Sequence, residues 1–258
     1  MESILFEKKN NVAVITFNRP KVFNSFNREM AFRMQDILKQ CEQDKDVRAI
    51  LITGEGKAFC AGQDLAELMD PKGPELAKIV GEHYNPIVIK IRQIEKPIVA
   101  AVNGVAAGAG ANIALACDIC VATRSASFIQ AFSKIGLVPD SGGSYFLPRL
   151  IGFQKALAIT MLGDKVNADD AEKMGMIYRC IDDEVFENEA FALADKLSKM
   201  PTRGLGMTKR AYNLGIHNDL ETQLALENEL QTQAGMTYDY NEGVQAFLEK
   251  RKPNFRGE

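Results

Sequence analysis

Apolar and polar positions alternate over residues 4–8 and again over Val12–Phe17, with Asn10-Asn11 between them, which predicts a β-hairpin. From Asn27, a good helix N-cap, the spacing changes. Met30, Phe32, Met34, Ile37 and Leu38 then supply the apolar face of a helix reaching about Gln43. Residues 47–53 form a continuous apolar run ending at Gly54, the pattern of a buried strand, and 55–64 follow as a loop. Residues 75–94 read as helix, Lys96-Pro97 breaks it, and Ile98–Val102 is a second buried strand. Small residues over 104–111 lead into a helix ending near Ala116. Short strands follow near 119–122 and at Ser127–Ile129.

The order strand–helix–strand–helix–strand is that of an α/β fold with crossover connections. After Gly152 the pattern turns helical, at Phe153–Leu162, 168–174, 185–199, 202–214 and 220–234, with one short strand near 176–181. The division expected is a core at 1–200 and a helical C-terminal region at 201–258, beginning near Pro201.

The 258 residues are 46% apolar and 25% charged, ordinary globular values that exclude a disordered tail or a fibre. Lys and Arg number 31 against 34 Asp and Glu, a net charge of −3, which argues against nucleic-acid binding through bulk charge. No apolar run reaches the roughly 18 residues of a membrane helix, and residues 1–10 lack a signal-peptide core. A soluble cytoplasmic protein without a membrane partner is therefore expected.

The five cysteines are odd in number and irregular in spacing, unlike a disulfide framework. Cys117-x-x-Cys120 ends a helix instead of starting one, so both read as structural and not as a redox pair. With only His83 and His217, a multi-histidine metal site is impossible and a Ser-His-Asp triad improbable. His83 reads as a surface or hydrogen-bonded histidine. Acid–base chemistry then falls to a carboxylate.

Three segments have the composition of a site. Gly56-Lys-Ala-Phe-Cys-Ala-Gly-Gln-Asp64 and Asn103-Gly-Val-Ala-Ala-Gly-Ala-Gly-Ala-Asn112 each follow a buried strand, where ligands bind in α/β sheets. Their small residues leave backbone N–H groups open, and two such loops can give two donors to one carbonyl oxygen. Alone, each loop reads equally as tight helix–strand packing. Neither a dinucleotide fingerprint nor a phosphate loop is present, since Ile113 occupies the third glycine position after Gly108-x-Gly110. In the third segment Asp140 stands among apolar residues before Ser141-Gly-Gly. Helix capping is its commoner role, and a raised pKa suited to proton transfer the other.

Taken together these segments resemble the crotonase family, the enoyl-CoA hydratase/isomerase superfamily, over essentially the whole chain. The resemblance rests on Phe17-Asn-Arg-Pro-Lys21, Ala58-Phe-Cys-Ala-Gly-Gln-Asp64, Pro97-Ile-Val-Ala-Ala-Val-Asn-Gly104, the Cys117-Asp-Ile stretch and Phe247-Leu-Glu-Lys-Arg-Lys-Pro-Asn-Phe255. It implies a spiral α/β core of ββα turns, a helical C-terminal trimerisation region, and a homotrimer or dimer of trimers. It also implies an acyl-CoA thioester substrate and no cofactor beyond the coenzyme A that the substrate carries. The thioester oxygen would lie between the amides of Gln63 and Ala109. Lys21, Ala61, Asp64, Leu65 and Phe132 would contact substrate. Lys250 and Lys252 would meet CoA phosphates, and Phe255 the adenine, in a neighbouring subunit.

The departures from the family pattern select the chemistry. The two glutamates of the hydratases are matched here by Asn112 and Phe132, so ordinary hydration is not expected. Asn85 matches the histidine of the dehalogenases, which disfavours that branch. Asp140 falls where the isomerases keep a catalytic aspartate, and Asn112 is left to position substrate. The pattern most resembles the phenylacetate-catabolic branch, which converts a phenylacetyl-CoA ring 1,2-epoxide to an oxepin-CoA. Phe128, Phe132, Tyr145 and Phe146 offer an apolar wall for the ring, with a core role for some of them equally open. A Δ3,Δ2-enoyl-CoA isomerase is the alternative. A non-catalytic acyl-CoA-binding protein is the reading from another class, against which Asp140 and both loops weigh.

Overall fold

The computed structural model describes residues 2–258. β1 (Ile4–Lys9) and β2 (Val12–Phe17) form the hairpin in full register, turned by Asn10 and Asn11, both at positive φ. Asparagine tolerates that left-handed region because its side chain bonds locally. α1 (Arg28–Gln43) starts as expected, the Asn27 side chain accepting from Met30 N.

The chain then deals strands alternately into two sheets. β3 (Ala49–Gly54), β5 (Ile98–Val102), β7 (Ile119–Thr123) and β10 (Arg179–Ile181) join the hairpin in a six-stranded sheet, order β1-β2-β3-β5-β7-β10, parallel beyond the hairpin. β4 (Ala58–Cys60), β6 (Val105–Ala107), β8 (Ser127–Ile129) and β9 (Lys165–Asn167) make a smaller sheet, parallel except for β9. Each circuit contributes one strand to each sheet. α2 (Leu65–Met69), α3 (Leu76–Lys78) and α4 (Asn85–Gln93) complete the first circuit, and α5 (Ala109–Ala116) follows β6. This is the expected spiral of ββα turns.

Strand alternation explains why both faces of the large sheet are covered. Ala13, Ile15, Ile50, Ile52, Ala100 and Val102 point into the main core, against α1, α4 and α5. Val12, Val14, Ala49, Leu51, Val99 and Ala101 point the other way, under α9 (Phe186–Ser198). Of that helix, Phe186, Ala190 and Ala194, four apart, make the buried stripe. Between them lie α6 (Gly143–Ile151), α7 (Phe153–Leu162) and α8 (Ala168–Lys173). α10 (Thr202–Gly215), α11 (Leu220–Gly235) and α12 (Tyr238–Leu248) end the chain. α10 is tied to the core through Lys209, whose side chain is 7% exposed. It donates to Asp118 Oδ2 at 2.9 Å, while Arg92 donates to the other oxygen at 3.1 Å.

Three differences from expectation have physical causes. β4 and β6 fall inside the two glycine-rich segments, whose small residues mask a strand of three; β8, equally short, lies outside them and is legible. Residues 75–94 are not one helix: a π turn, Ile79–Tyr84, separates α3 from α4. Pro86 has no N–H for the Glu82 carbonyl, and Gln35 of α1 donates to that oxygen instead, at 2.7 Å. α12 was unforeseen because Gly243 interrupts it. A Cβ there would stand 3.4 Å from the Phe255 ring, which packs over it.

Among the described residues, no helix is long and apolar enough to cross a membrane.

Candidate active site

Gly62 lies at φ +92°, a conformation that favours glycine, and a Cβ on it would stand 3.0 Å from Ala107 O and 3.5 Å from Ala109 N. The two glycine loops therefore touch, and only small residues permit it. Phe26 N donates to Gly62 O at 2.7 Å, and Asp64 N donates to Phe26 O at 2.8 Å. This parallel bridge uses the groups on either side of Gln63, so the Gln63 N–H points away from it. Ala109 is the first residue of α5, and a first-turn N–H has no intrahelical acceptor. Among the described residues, neither amide has a side-chain or loop acceptor. Both residues line one cavity of about 430 Å³, beside Ala61, Asp64, Leu65 and Phe132. Two such donors on one wall can hold a developing negative charge.

Asp140 lines the same cavity. Burial pushes its carboxyl above the ordinary carboxylate range, partly offset by the Ser141 hydroxyl, which donates to Oδ1 at 2.9 Å. It does not cap a helix; that place belongs to Gly142, at φ +78°. Asp64, the other carboxylate of the cavity, caps α2 through Ala66 N and pairs with Arg19 at 2.8 Å. Asp140 is therefore the one cavity carboxylate without a cationic partner among the described residues.

Asn112 requires a correction. Its side chain is fully buried and does not line the cavity. Its Nδ2 donates to the Asp140 carbonyl at 2.9 Å, and its Oδ1 accepts from Gln130 Nε2 at 2.8 Å. Gly143 makes room: a Cβ there would fall 2.7 Å from Asn112 Cγ. Asn112 thus holds the backbone of Asp140.

The four aromatics divide between the two open roles and a third place. Phe132 lines the cavity, but Phe128 is buried in the main core, and Tyr145 and Phe146 face a separate cleft between α4, α6 and α10. That cleft, about 530 Å³, holds Asp118 with Arg92 and Lys209, which both donate to it, and neither glycine loop reaches it. The remaining cavity wall is largely aliphatic, with Leu68, Leu76, Ile79, Ile135 and Leu137.

Lys21 is exposed on a short 3₁₀ turn outside this wall. Lys250 and Lys252 are exposed at the C-terminus, and Phe255 packs on α12 while its carbonyl accepts from Arg48 at 2.9 Å. None of the three lies in the cavity of its own chain. His83, read as a surface or hydrogen-bonded residue, is instead 1% exposed with both ring nitrogens unpartnered, edge-on to Phe32. Cys117 and Cys120 are buried, and burial pushes the Cys117 and Cys60 thiols up to about 12.

Of the cavity residues the sequence did not single out, one bonds directly to Gln63. Tyr84, at the end of the π turn, is 1% exposed and donates its hydroxyl to Gln63 Oε1 at 2.8 Å. Nothing in the pattern of 75–94 separates it from a core aromatic.

The chain is similar to known proteins over its whole length. The enoyl-CoA hydratase/isomerase family model matches residues 7–258. A 1,2-epoxyphenylacetyl-CoA isomerase of Escherichia coli is 48% identical over 100% of this chain and 99% of its own. A short-chain-enoyl-CoA hydratase of Clostridium acetobutylicum is 34% identical over 98% of this chain and 97% of its own. Among solved structures, an enoyl-CoA hydratase from Bacillus anthracis superposes with a TM-score of 0.93 at 31% identity, covering 100% of both chains.

Proposed function

We propose that this chain, which belongs to the enoyl-CoA hydratase/isomerase family, isomerises the ring 1,2-epoxide of phenylacetyl-CoA to the oxepin-CoA. One observation carries the reading: the cavity sets a single half-buried carboxylate without a cationic partner, Asp140, in the same wall as the Gln63 and Ala109 amides. The two positions that would support hydration hold a buried Phe132 and an Asn112 already bonded on both sides.

In this reading the thioester oxygen accepts from both amides. Asp140, ionised, takes the proton from the carbon next to the carbonyl, and the electron pair spreads onto the thioester oxygen. The C–C bond shared by the epoxide and the six-membered ring breaks, its electron pair enters the ring double bonds to give the seven-membered ring, and the proton returns from Asp140 to a ring carbon, so no atom is gained or lost. One carboxylate suffices because no water is added. The 48% identical Escherichia coli relative supports the epoxide as substrate. Binding of coenzyme A by Lys250, Lys252 and Phe255 from a neighbouring subunit, and a trimeric assembly, belong to the same proposal.

A second reading has its own observation. The aliphatic wall, with Phe132 and Tyr84 as its aromatics, also suits a linear acyl chain and hence a Δ3,Δ2-enoyl-CoA isomerase. Purified protein given the ring epoxide of phenylacetyl-CoA and a 3-enoyl-CoA, followed by chromatography and mass spectrometry, separates the two. Faster formation of oxepin product is expected. A double-bond shift alone would retire the epoxide reading, and rapid hydration of crotonyl-CoA would overturn both.

A further inference from the structure

We infer that Tyr84 is a positioning residue: its hydroxyl holds the Gln63 side chain so that the Gln63 backbone N–H stays aimed into the cavity. The inference rests on the thioester site proposed above and adds a residue to it.

Three observations converge. The Tyr84 hydroxyl has one proton and donates it to Gln63 Oε1 at 2.8 Å. The other end of that carboxamide is held too, since Gln63 Nε2 donates to Glu67 Oε2 at 2.9 Å and Arg28 N donates to Glu67 Oε1 at 2.8 Å. The Tyr84 ring packs against Phe26, centroids 5.8 Å apart, and Phe26 is the residue whose main chain brackets Gln63. Gln63 is thus fixed through its backbone by Phe26 and through its side chain by Tyr84, two rings that touch. A donor serving a developing oxyanion must already be oriented, because reorientation during the reaction would raise the barrier. The ring itself has no freedom, being almost fully buried.

A group acting only through Gln63 has a specific kinetic signature. Tyr84→Phe keeps the ring and its packing and removes one oxygen. Gln63→Leu keeps the backbone N–H and removes the carboxamide. Each is expected to lower kcat by about tenfold, less than the 100-fold or more of deleting an oxyanion donor, with KM changed less than about twofold. The double variant is expected to be no slower than the slower single one, because both remove the same restraint. Multiplied losses in the double variant, or a Tyr84→Phe enzyme with wild-type kcat, would overturn the inference.

A binding measurement tests Tyr84 without turnover. Wild-type protein is expected to prefer butyryl-CoA over the S-butyl-CoA thioether, which lacks the carbonyl oxygen. Tyr84→Phe is expected to lose part of that preference while binding the thioether unchanged. Equal weakening of both ligands would show a merely structural role and overturn the inference. If the wild type isomerises neither thioester, the isomerase reading fails, and this comparison still decides the role of Tyr84.

Discussion

A methyl group at Gly110 tests whether the contact between the two glycine loops sets the rate. Gly110 follows Ala109 in the first turn of α5, and Cys60 stands three residues before Gln63. A Cβ on Gly110 would fall 2.7 Å from both Cys60 Cβ and Sγ, and closer still to the Cys60 carbonyl, where real contacts stay beyond 3.0 Å. The helix start must then retreat from β4 by more than 0.3 Å, and further on the carbonyl side. Cys60 is fully buried and cannot swing aside. Two stability effects oppose each other. Alanine gains about 1 kcal/mol over glycine in a helix, and overpacking costs about 1–3 kcal/mol. The net loss is at most about 2 kcal/mol, or about 4–8 °C in Tm for a chain of this size. Activity is more sensitive, because a displacement of about 1 Å can cost about 100-fold. Gly110→Ala is therefore expected to lower kcat by about 10- to 100-fold, equivalent to about 1.4–2.7 kcal/mol of barrier. The assay is isomerisation of the ring-epoxide thioester at a temperature where circular dichroism shows the variant folded. Gly235→Ala is the control: nothing lies within 4 Å of the added atom, and activity should not change. A folded Gly110→Ala enzyme with kcat within threefold of wild type would refute the argument that loop spacing aligns the donors.

Further outcomes follow from the charges and the packing. Asp140→Asn is expected to lower kcat by about 100-fold or more, the lower range for loss of a general base. Burial raises the Asp140 carboxyl pKa in the folded state, so its stabilising proton is lost as pH rises through that value. Asp140→Asn should therefore be at least as stable as wild type at pH 8, with the advantage vanishing below the ordinary carboxylate range; urea unfolding at both pH values measures it. The same shift predicts an acid limb of kcat/KM above the ordinary carboxylate range. Asp118→Ala leaves the buried Lys209 ammonium unpaired and should cost about 3–5 kcal/mol in urea unfolding. Asn112→Glu should not restore hydration of crotonyl-CoA. It should instead destabilise the fold, since the larger, charged side chain would be forced between Gln130 and Gly143.

What the residue pattern shows is whatever a local period or a turn residue can encode. The hairpin at Asn10-Asn11, the Asn27 cap and the long buried strands were legible for that reason. So was Asp140, an acid among apolar neighbours. β4 and β6 were not, because they lie within glycine-rich segments and are fixed by pairing with each other and, for β6, with β8. The role of Asn112 depends on Gln130 and on the Asp140 carbonyl, 18 and 28 residues away, and no spacing rule reaches across those distances. Tyr145 and Phe146 were misplaced because periodicity tells that a helix face is apolar and not which of two clefts it meets. Tyr84 was missed because its partner lies 21 residues back and a π turn breaks the helical period around it.

The two substituted positions bear on the chemistry jointly. A hydratase must hold a water against the acyl chain, and that needs polar groups aimed at it. Here position 132 presents a ring that is 6% exposed, and position 112 turns its amide inward to Gln130 and Asp140. The wall that would face such a water is therefore apolar, and its one unpaired carboxylate sits where burial favours the neutral form. A carboxyl whose pKa is raised is a stronger base when ionised and a usable acid once protonated, which suits a group that takes a proton and gives it back. Under the proposed isomerase reading, the Phe132 ring excludes such a water and keeps the cavity around Asp140 apolar, while Asn112 acts from behind the wall on the Asp140 backbone. Introducing a polar side chain at Phe132 would thus act on both: Phe132→Gln is expected to shift the acid limb of kcat/KM toward the ordinary carboxylate range. An unmoved acid limb in that variant would separate the two effects and show that the Phe132 ring does not raise the Asp140 pKa.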